Sequence, residues 1–358
     1  MTPEETRARF AGWIDCFLNP ASPPGELRDA GQAWCRWGLG LLGVDPNDGT
    51  EGPAGFATDT ILPTGKAISP LSAARCVWEY QRTAVFLRAM DAALRAAGER
   101  FPGETIHVLE AGCGPLAPLA LALASRHPAD RVRFTLMDLH PPSLDGARRI
   151  AEALGLSDSI RAYVAADATR IALAEEDRPH VIACEVLLRA LKREPQVAAT
   201  RNLVPQLRPG GFFLPECIEV DAGLFDSAEY FRPQPEPFDL AALRAASIVE
   251  LGPVFRLEAA TAGALRIDGA GRCEAGAVTV PPHRPERWAL HLFTRIRVWD
   301  GQTLGDFDSS LNLPERVACP AALAAAGGTV RFAYEVAQDP GLRVIAATPA
   351  DDPARAHP

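Results

Sequence analysis

Three carboxylates stand where strand-like runs end. Val108-Leu109-Glu110-Ala111-Gly112-Cys113-Gly114-Pro115 reads as a buried strand closing on an acidic residue, then a glycine turn, then a helix. Glycine serves where the backbone must turn sharply and come close to a ligand. Phe134-Thr135-Leu136-Met137-Asp138, with Leu139 after it, is a second strand ending in a carboxylate. In that place it can accept both ribose hydroxyls of a nucleoside. Ala165-Ala166-Asp167-Ala168 follows a third strand and can reach an adenine amino group. Asp138 alone could cap a turn, and a glycine pair alone is weak evidence. In this order and spacing they point jointly to a nucleoside site. Cys113 has no His or Lys beside it and reads as a loop filler rather than a nucleophile.

Two cofactors fit a glycine turn plus a ribose carboxylate. Gly112-x-Gly114-x-x-Ala117 passes a loose dinucleotide fingerprint. A dinucleotide sets its pyrophosphate on the helix N-terminus, and Glu110 would put negative charge close to it. S-adenosylmethionine has no phosphate and carries a sulfonium and an ammonium. Glu110 therefore favours S-adenosylmethionine over NAD.

After the fourth strand comes Cys184-Glu185-Val186-Leu187-Leu188-Arg189-Ala190-Leu191-Lys192-Arg193-Glu194, with two glutamates nine positions apart. Upstream lies Glu79-Tyr80-Gln81-Arg82-Thr83. With the cofactor motifs, these segments resemble the class I S-adenosylmethionine-dependent methyltransferases, and within them the protein arginine methyltransferases. The resemblance covers roughly residues 65 to 310. It implies an α/β, Rossmann-like cofactor domain with N-terminal helices and a C-terminal β-barrel-like domain. It also implies that Arg82 holds the cofactor carboxylate and that Glu185 and Glu194 serve the acceptor. The chemistry of methyl transfer agrees, because two carboxylates can orient a nucleophile beside the sulfonium methyl. Residue type alone also allows plainer readings: a surface pair of Arg82 with Glu79, and Glu194 as the start of a helix at Pro195.

The chain departs from that family in three places. The paired-aromatic helix before the arginine is replaced by Thr64-Gly65-Lys66-Ala67-Ile68-Ser69-Pro70. The barrel motif survives only as Arg287-Trp288. The loop between the glutamates lacks aromatics. The preferred reaction is therefore methyl transfer to N or O of a small metabolite. Protein arginine methylation, aminocarboxypropyl transfer or cyclisation, and an idle cofactor-binding module are the rivals.

These residues need elements to place them. The chain has 358 residues, near-average apolar content and a net charge of −9. That suits a globular protein of two or three domains. No Lys/Arg block supports nucleic-acid binding. No apolar run approaches a membrane span. Eight scattered cysteines without metal spacing predict reduced thiols, no zinc and a cytoplasmic protein.

Residues 1–70 read as two helices, Arg9–Leu18 and Leu27–Leu42, then a loop over Gly43–Lys66; Trp13, Trp34 and Trp37 read as helix–helix core. Residues 71–215 read as the cofactor domain. Its strands are Ile106–Ala111, Val132–Asp138, Ile160–Asp167, His180–Glu185 and Gly211–Pro215. Its helices are Ser72–Ala97, Leu116–Arg126, Ser143–Leu154 and Pro195–Leu207. Strand–helix alternation predicts a mostly parallel sheet. Residues 216–350 read as β-rich, with a loop-plus-helix over Phe225–Ala246 that would suit a homodimer arm. The tail after Thr348 reads as frayed.

Overall fold

A computed structural model describes residues 2–45, 52–234 and 236–349. The middle of the expected 43–66 loop, and the tail beyond Pro349, lie outside the described residues.

The chain opens with two helices, α1 (Pro3–Leu18) and α2 (Pro24–Leu42). A Thr2–Glu5 capping box starts α1, and Gly43 in the left-handed region ends α2. Trp34 is fully buried, with Phe10 and Phe17 edge-on against it. Trp34 is helix–helix core, as expected, while Trp13 and Trp37 are half-buried and pack against that core. A hairpin follows, β1 (Thr60–Leu62) and β2 (Gly65–Ala67), where the sequence suggested only a loop. The expected helix over Ser72–Ala97 is broken in two. α3 (Pro70–Arg75) and a 3-10 turn lead to Glu79, whose ψ of 75° lies outside the helical region, and α4 runs from Tyr80 to Arg100.

The central sheet is β3 (Ile106–Ala111), β4 (Val132–Asp138), β5 (Ile160–Ala165), β6 (Val181–Cys184) and β7 (Phe212–Leu214). All neighbours pair in parallel, in the order β5-β4-β3-β6-β7. β3 and β6 are almost wholly buried, as a parallel sheet covered on both faces requires. The covering helices are α5 (Pro118–Ala124), α6 (Pro141–Leu154) and α7 (Gln196–Leu203), with α4 before the first strand. Every residue of α5 after Pro118 is buried, which its unbroken apolar sequence dictates. Chain order reverses between β3 and β6. Such a switch point opens a crevice at the carboxyl ends of the strands.

The C-terminal part is antiparallel. One sheet has the order β12-β11-β8-β9, formed by β8 (Cys217–Phe225), β9 (Ile248–Glu258), β11 (Ala289–Trp299) and β12 (Gln302–Leu304), with β13 (Glu315–Arg316) paired to β11. The other is β10 (Arg272–Val280), β14 (Gly328–Glu335) and β15 (Gly341–Pro349). Among the described residues these are two sheets, not one closed barrel. Short helices Ser227–Tyr230 and Leu240–Ser247 occupy the segment expected as loop-plus-helix. Among the described residues no helix is long and apolar enough to cross a membrane.

Candidate active site

A cavity of about 310 Å³ opens at the switch point. Arg82, Glu110, Gly112, Asp138, Leu139, Asp167, Ala168, Glu185 and Glu194 all line it. Gly114 does not line the cavity. Its N–H donates to Asp138 Oδ2 at 2.8 Å, so it braces a residue that does.

The floor is set by the glycine turn. Gly112 has φ +77°, and a Cβ there would lie 2.5 Å from Val186 Cγ1. Only glycine combines that conformation with that contact. The N–H groups of Gly112 and Cys113 both donate to Met137 O, tying the end of β3 to β4.

Glu110 is 4% exposed and reaches under the turn. Its carboxylate accepts the N–H of Leu119 at 3.3 Å and of Ala120 at 2.8 Å. These are free donors of the first turn of α5, the groups that would otherwise receive a phosphate. The helix terminus is thus already occupied by a carboxylate. Burial outweighs these hydrogen bonds and pushes the Glu110 carboxyl up to about 8.

Asp138 accepts one backbone N–H on each oxygen, from Gly114 and from His140, both at 2.8 Å. It caps the local turn and lines the cavity at once, so the two sequence readings are compatible. Each oxygen keeps a second lone pair for a hydroxyl. Asp167 Oδ1 accepts from Thr169 N and Oγ1 at 2.8 and 2.7 Å, which fixes its side chain at the end of β5.

At the other end, Arg82 forms an ion pair with Glu185. Both side chains are nearly buried, at 12% and 14% exposure. The expected alternative, a surface pair of Arg82 with Glu79, does not form. Glu79 turns to the C-terminal part and accepts from Ser310 N and Oγ at 2.9 and 2.5 Å. Glu185 Oε1 is buried and has no hydrogen-bond partner. Glu194 is 9% exposed, and burial pushes its carboxyl up to about 7 against the pull of Arg82 and Lys66. Pro195 is the cap of α7 rather than its first residue, so Glu194 lies just outside the helix.

The loop carrying both glutamates contains three non-glycine residues at positive φ: Ala190, Leu191 and Arg193. Such conformations cost of order 1 kcal/mol each and persist only when the surroundings fix them. The C-terminal sheets supply that fixing. Ala190 N–H donates to Thr294 Oγ1, Tyr334 O–H to Leu191 O, and Arg193 N–H to Pro340 O. Arg189 and Lys192 both reach Glu315.

The hairpin β1–β2 covers the cavity. Thr60 Oγ1 meets His140 Nε2 at 3.0 Å, Thr64 Oγ1 meets Thr169 Oγ1 at 3.4 Å, and Lys66 N–H donates to Arg193 O at 2.6 Å. A Cβ on Gly65, at φ +143°, would lie 2.9 Å from Arg193 O. Sequence reasoning gave no site role to Lys66, Glu79, His140 or Ser310, which all line this wall. Only the cover segment Thr64–Pro70 carried a signal, as a departure from the aromatic helix.

Residues 108–211 match a family model described as a methyltransferase domain. No curated protein matches the chain. Among solved structures it is similar to the Trypanosoma brucei PRMT1 enzyme-prozyme heterotetrameric complex with AdoHcy. The identity is 15%, over 72% of this chain and 84% of that one, with a TM-score of 0.46. The segment matched by the family model is similar to a methyltransferase domain and carries Gly112, Asp138, Asp167 and both glutamates of the cavity.

Proposed function

We propose that the enzyme methylates nitrogen or oxygen of a small metabolite. The observation that carries this reading is the unequal state of the two glutamates. Glu185 is engaged by Arg82, while Glu194 is held near neutrality by burial. A guanidinium acceptor is cationic before and after transfer, releasing one proton as its nitrogen gains the methyl group, and calls for two ionised carboxylates to hold it. A hydroxyl or amine must lose a proton, and a base works best with its pKa near the working pH.

The cofactor residues then divide as follows. Asp138 holds the ribose hydroxyls, Asp167 the adenine amino group, and Glu110 faces the cationic end. Gly112, Gly114, Leu139 and Ala168 shape the walls. Arg82 has five N–H donors in a planar fork, enough to keep Glu185 and also take the cofactor carboxylate. When bound, the cofactor supplies an electrophilic methyl on a sulfonium. Glu185 orients the acceptor and Glu194 accepts its proton as the new bond to carbon forms. Ser310 and Leu311 close the acceptor end, and the hairpin excludes water.

The division into residues 1–70, 71–215 and 216–350 belongs to the same reading, supported by where the sheets begin and end; residue 350 lies outside the described range. A cytoplasmic location is supported by eight free cysteines. A homodimer is supported by Phe231, Phe238 and Leu240, exposed on the 225–246 segment. The test is mass analysis of small amines and alcohols incubated with enzyme and cofactor. A gain of one methylene confirms the reaction. A gain of an aminocarboxypropyl group, or methylation of arginine peptides alone, overturns it.

A further inference from the structure

A second concavity lies away from the cofactor site. It has a volume of about 730 Å³ and is bounded by residues 263–268, β10, β14 and the end of α7. Four arginines line it: Arg201, Arg266, Arg272 and Arg331. Two acids, Asp268 and Glu274, face them. Arg272 is paired with Glu335 at 3.0 Å. Arg201, Arg266 and Arg331 are exposed and form no ion pair among the described residues. The floor is apolar. Leu265 and Ile267 are half-buried, Phe332 is buried, and Ile345 on β15 is 50% exposed.

We propose that this groove binds a small organic phosphate with an apolar body. Guanidinium groups converge on a phosphate through paired N–H donors, and three of them here have no other partner. The volume is that of a small-molecule site. A nucleic acid is disfavoured because the groove is only about 730 Å³ and the chain carries net charge −9. The apolar floor gives the organic body a surface that inorganic phosphate could not use. This inference is independent of the acceptor chosen above.

The test is titration calorimetry of the full chain with phenyl phosphate, inorganic phosphate and benzoate. Saturable binding of phenyl phosphate, tighter than either fragment, is expected. Arg266→Ala and Arg331→Ala should each weaken it by about tenfold, the loss of one charged hydrogen-bonding partner. Arg201→Ala should act likewise, and Arg284→Ala, outside the groove, should leave affinity unchanged. Binding of S-adenosylmethionine should be equal in all four variants, which shows that each is folded. Absence of saturable phenyl phosphate binding, or equal binding in the groove variants, overturns the proposal. A glutamate-rich peptide that binds where phenyl phosphate does not would also overturn it, and would make the groove a protein contact.

Discussion

The two ends of the cavity are built on different principles. At the cofactor end, Glu110, Asp138 and Asp167 each accept N–H groups close by in sequence, the farthest being Gly114, 24 residues from Asp138. Strand ends and a glycine turn place them. At the acceptor end, Glu185 and Glu194 stand on a loop of unfavourable backbone geometry. Residues more than a hundred positions away hold it: Thr294, Glu315 and Tyr334. On the proposed reading, cofactor binding rests on the central sheet with Arg82 of α4, and acceptor choice on the junction of that sheet with the C-terminal sheets.

The largest effect is expected at the acceptor end. Glu194→Gln should cut turnover about a hundredfold or more, the usual worth of a general base. Cofactor affinity should stay nearly unchanged, since no cofactor group is assigned to Glu194. Single-turnover kinetics at saturating cofactor reads this directly. Glu185→Gln should also fail in turnover, through lost orientation. If Glu194→Gln were fully active, the base would have to be found elsewhere.

Next comes the cofactor end. Asp138→Ala removes the acceptor of two buried N–H groups as well as the ribose contact. At about 1.5–3 kcal/mol per charged hydrogen bond, it should lower both cofactor affinity and Tm. A change in Tm without a change in affinity would mean that Asp138 only caps the turn. Arg82→Lys should act less, about tenfold on cofactor affinity, because the charge stays and only the planar fork is lost.

The pH dependence joins the two ends. Burial raises Glu110 to about 8 and Glu194 to about 7, from an ordinary value of 4.5. A carboxyl raised in the folded state stabilises the fold below its unfolded pKa. That stability is lost as pH rises through the folded value. The Tm of the cofactor-free protein should therefore fall from about pH 5 to pH 8. A cationic cofactor favours ionised Glu110, so its binding should release protons, measurable as a buffer-dependent heat. The Glu110→Gln variant should lose most of that release. The smallest effect is expected at the cover: Thr60→Val removes one hydrogen bond to His140, about 1 kcal/mol, seen as a slight drop in Tm with turnover retained.

What the sequence disclosed follows the same division. β3 and β4 form over the residues their patterns indicate, because buried parallel strands read as apolar runs. Glu110, Asp138 and Asp167 are legible because strand–turn–helix order fixes a strand end. The break at Glu79 is not legible, since the helical apolar spacing continues through it and Ser310, far along the chain, holds the carboxylate. β10 is hard to read because Gly276 and alanines interrupt its alternation, and it bulges between Glu274 and Ala277. The hairpin β1–β2 is too short to show a period; contacts with His140, Thr169 and Arg193 hold it.

The central claim is that a carboxylate on the first turn of α5 makes this a sulfonium site and not a pyrophosphate site. Titration calorimetry with S-adenosylmethionine and with NAD on the same protein tests it most directly. Saturable one-site binding of S-adenosylmethionine is expected, weakened in Asp138→Ala, with no heat from NAD. Saturable binding of NAD, with S-adenosylmethionine silent, would contradict it.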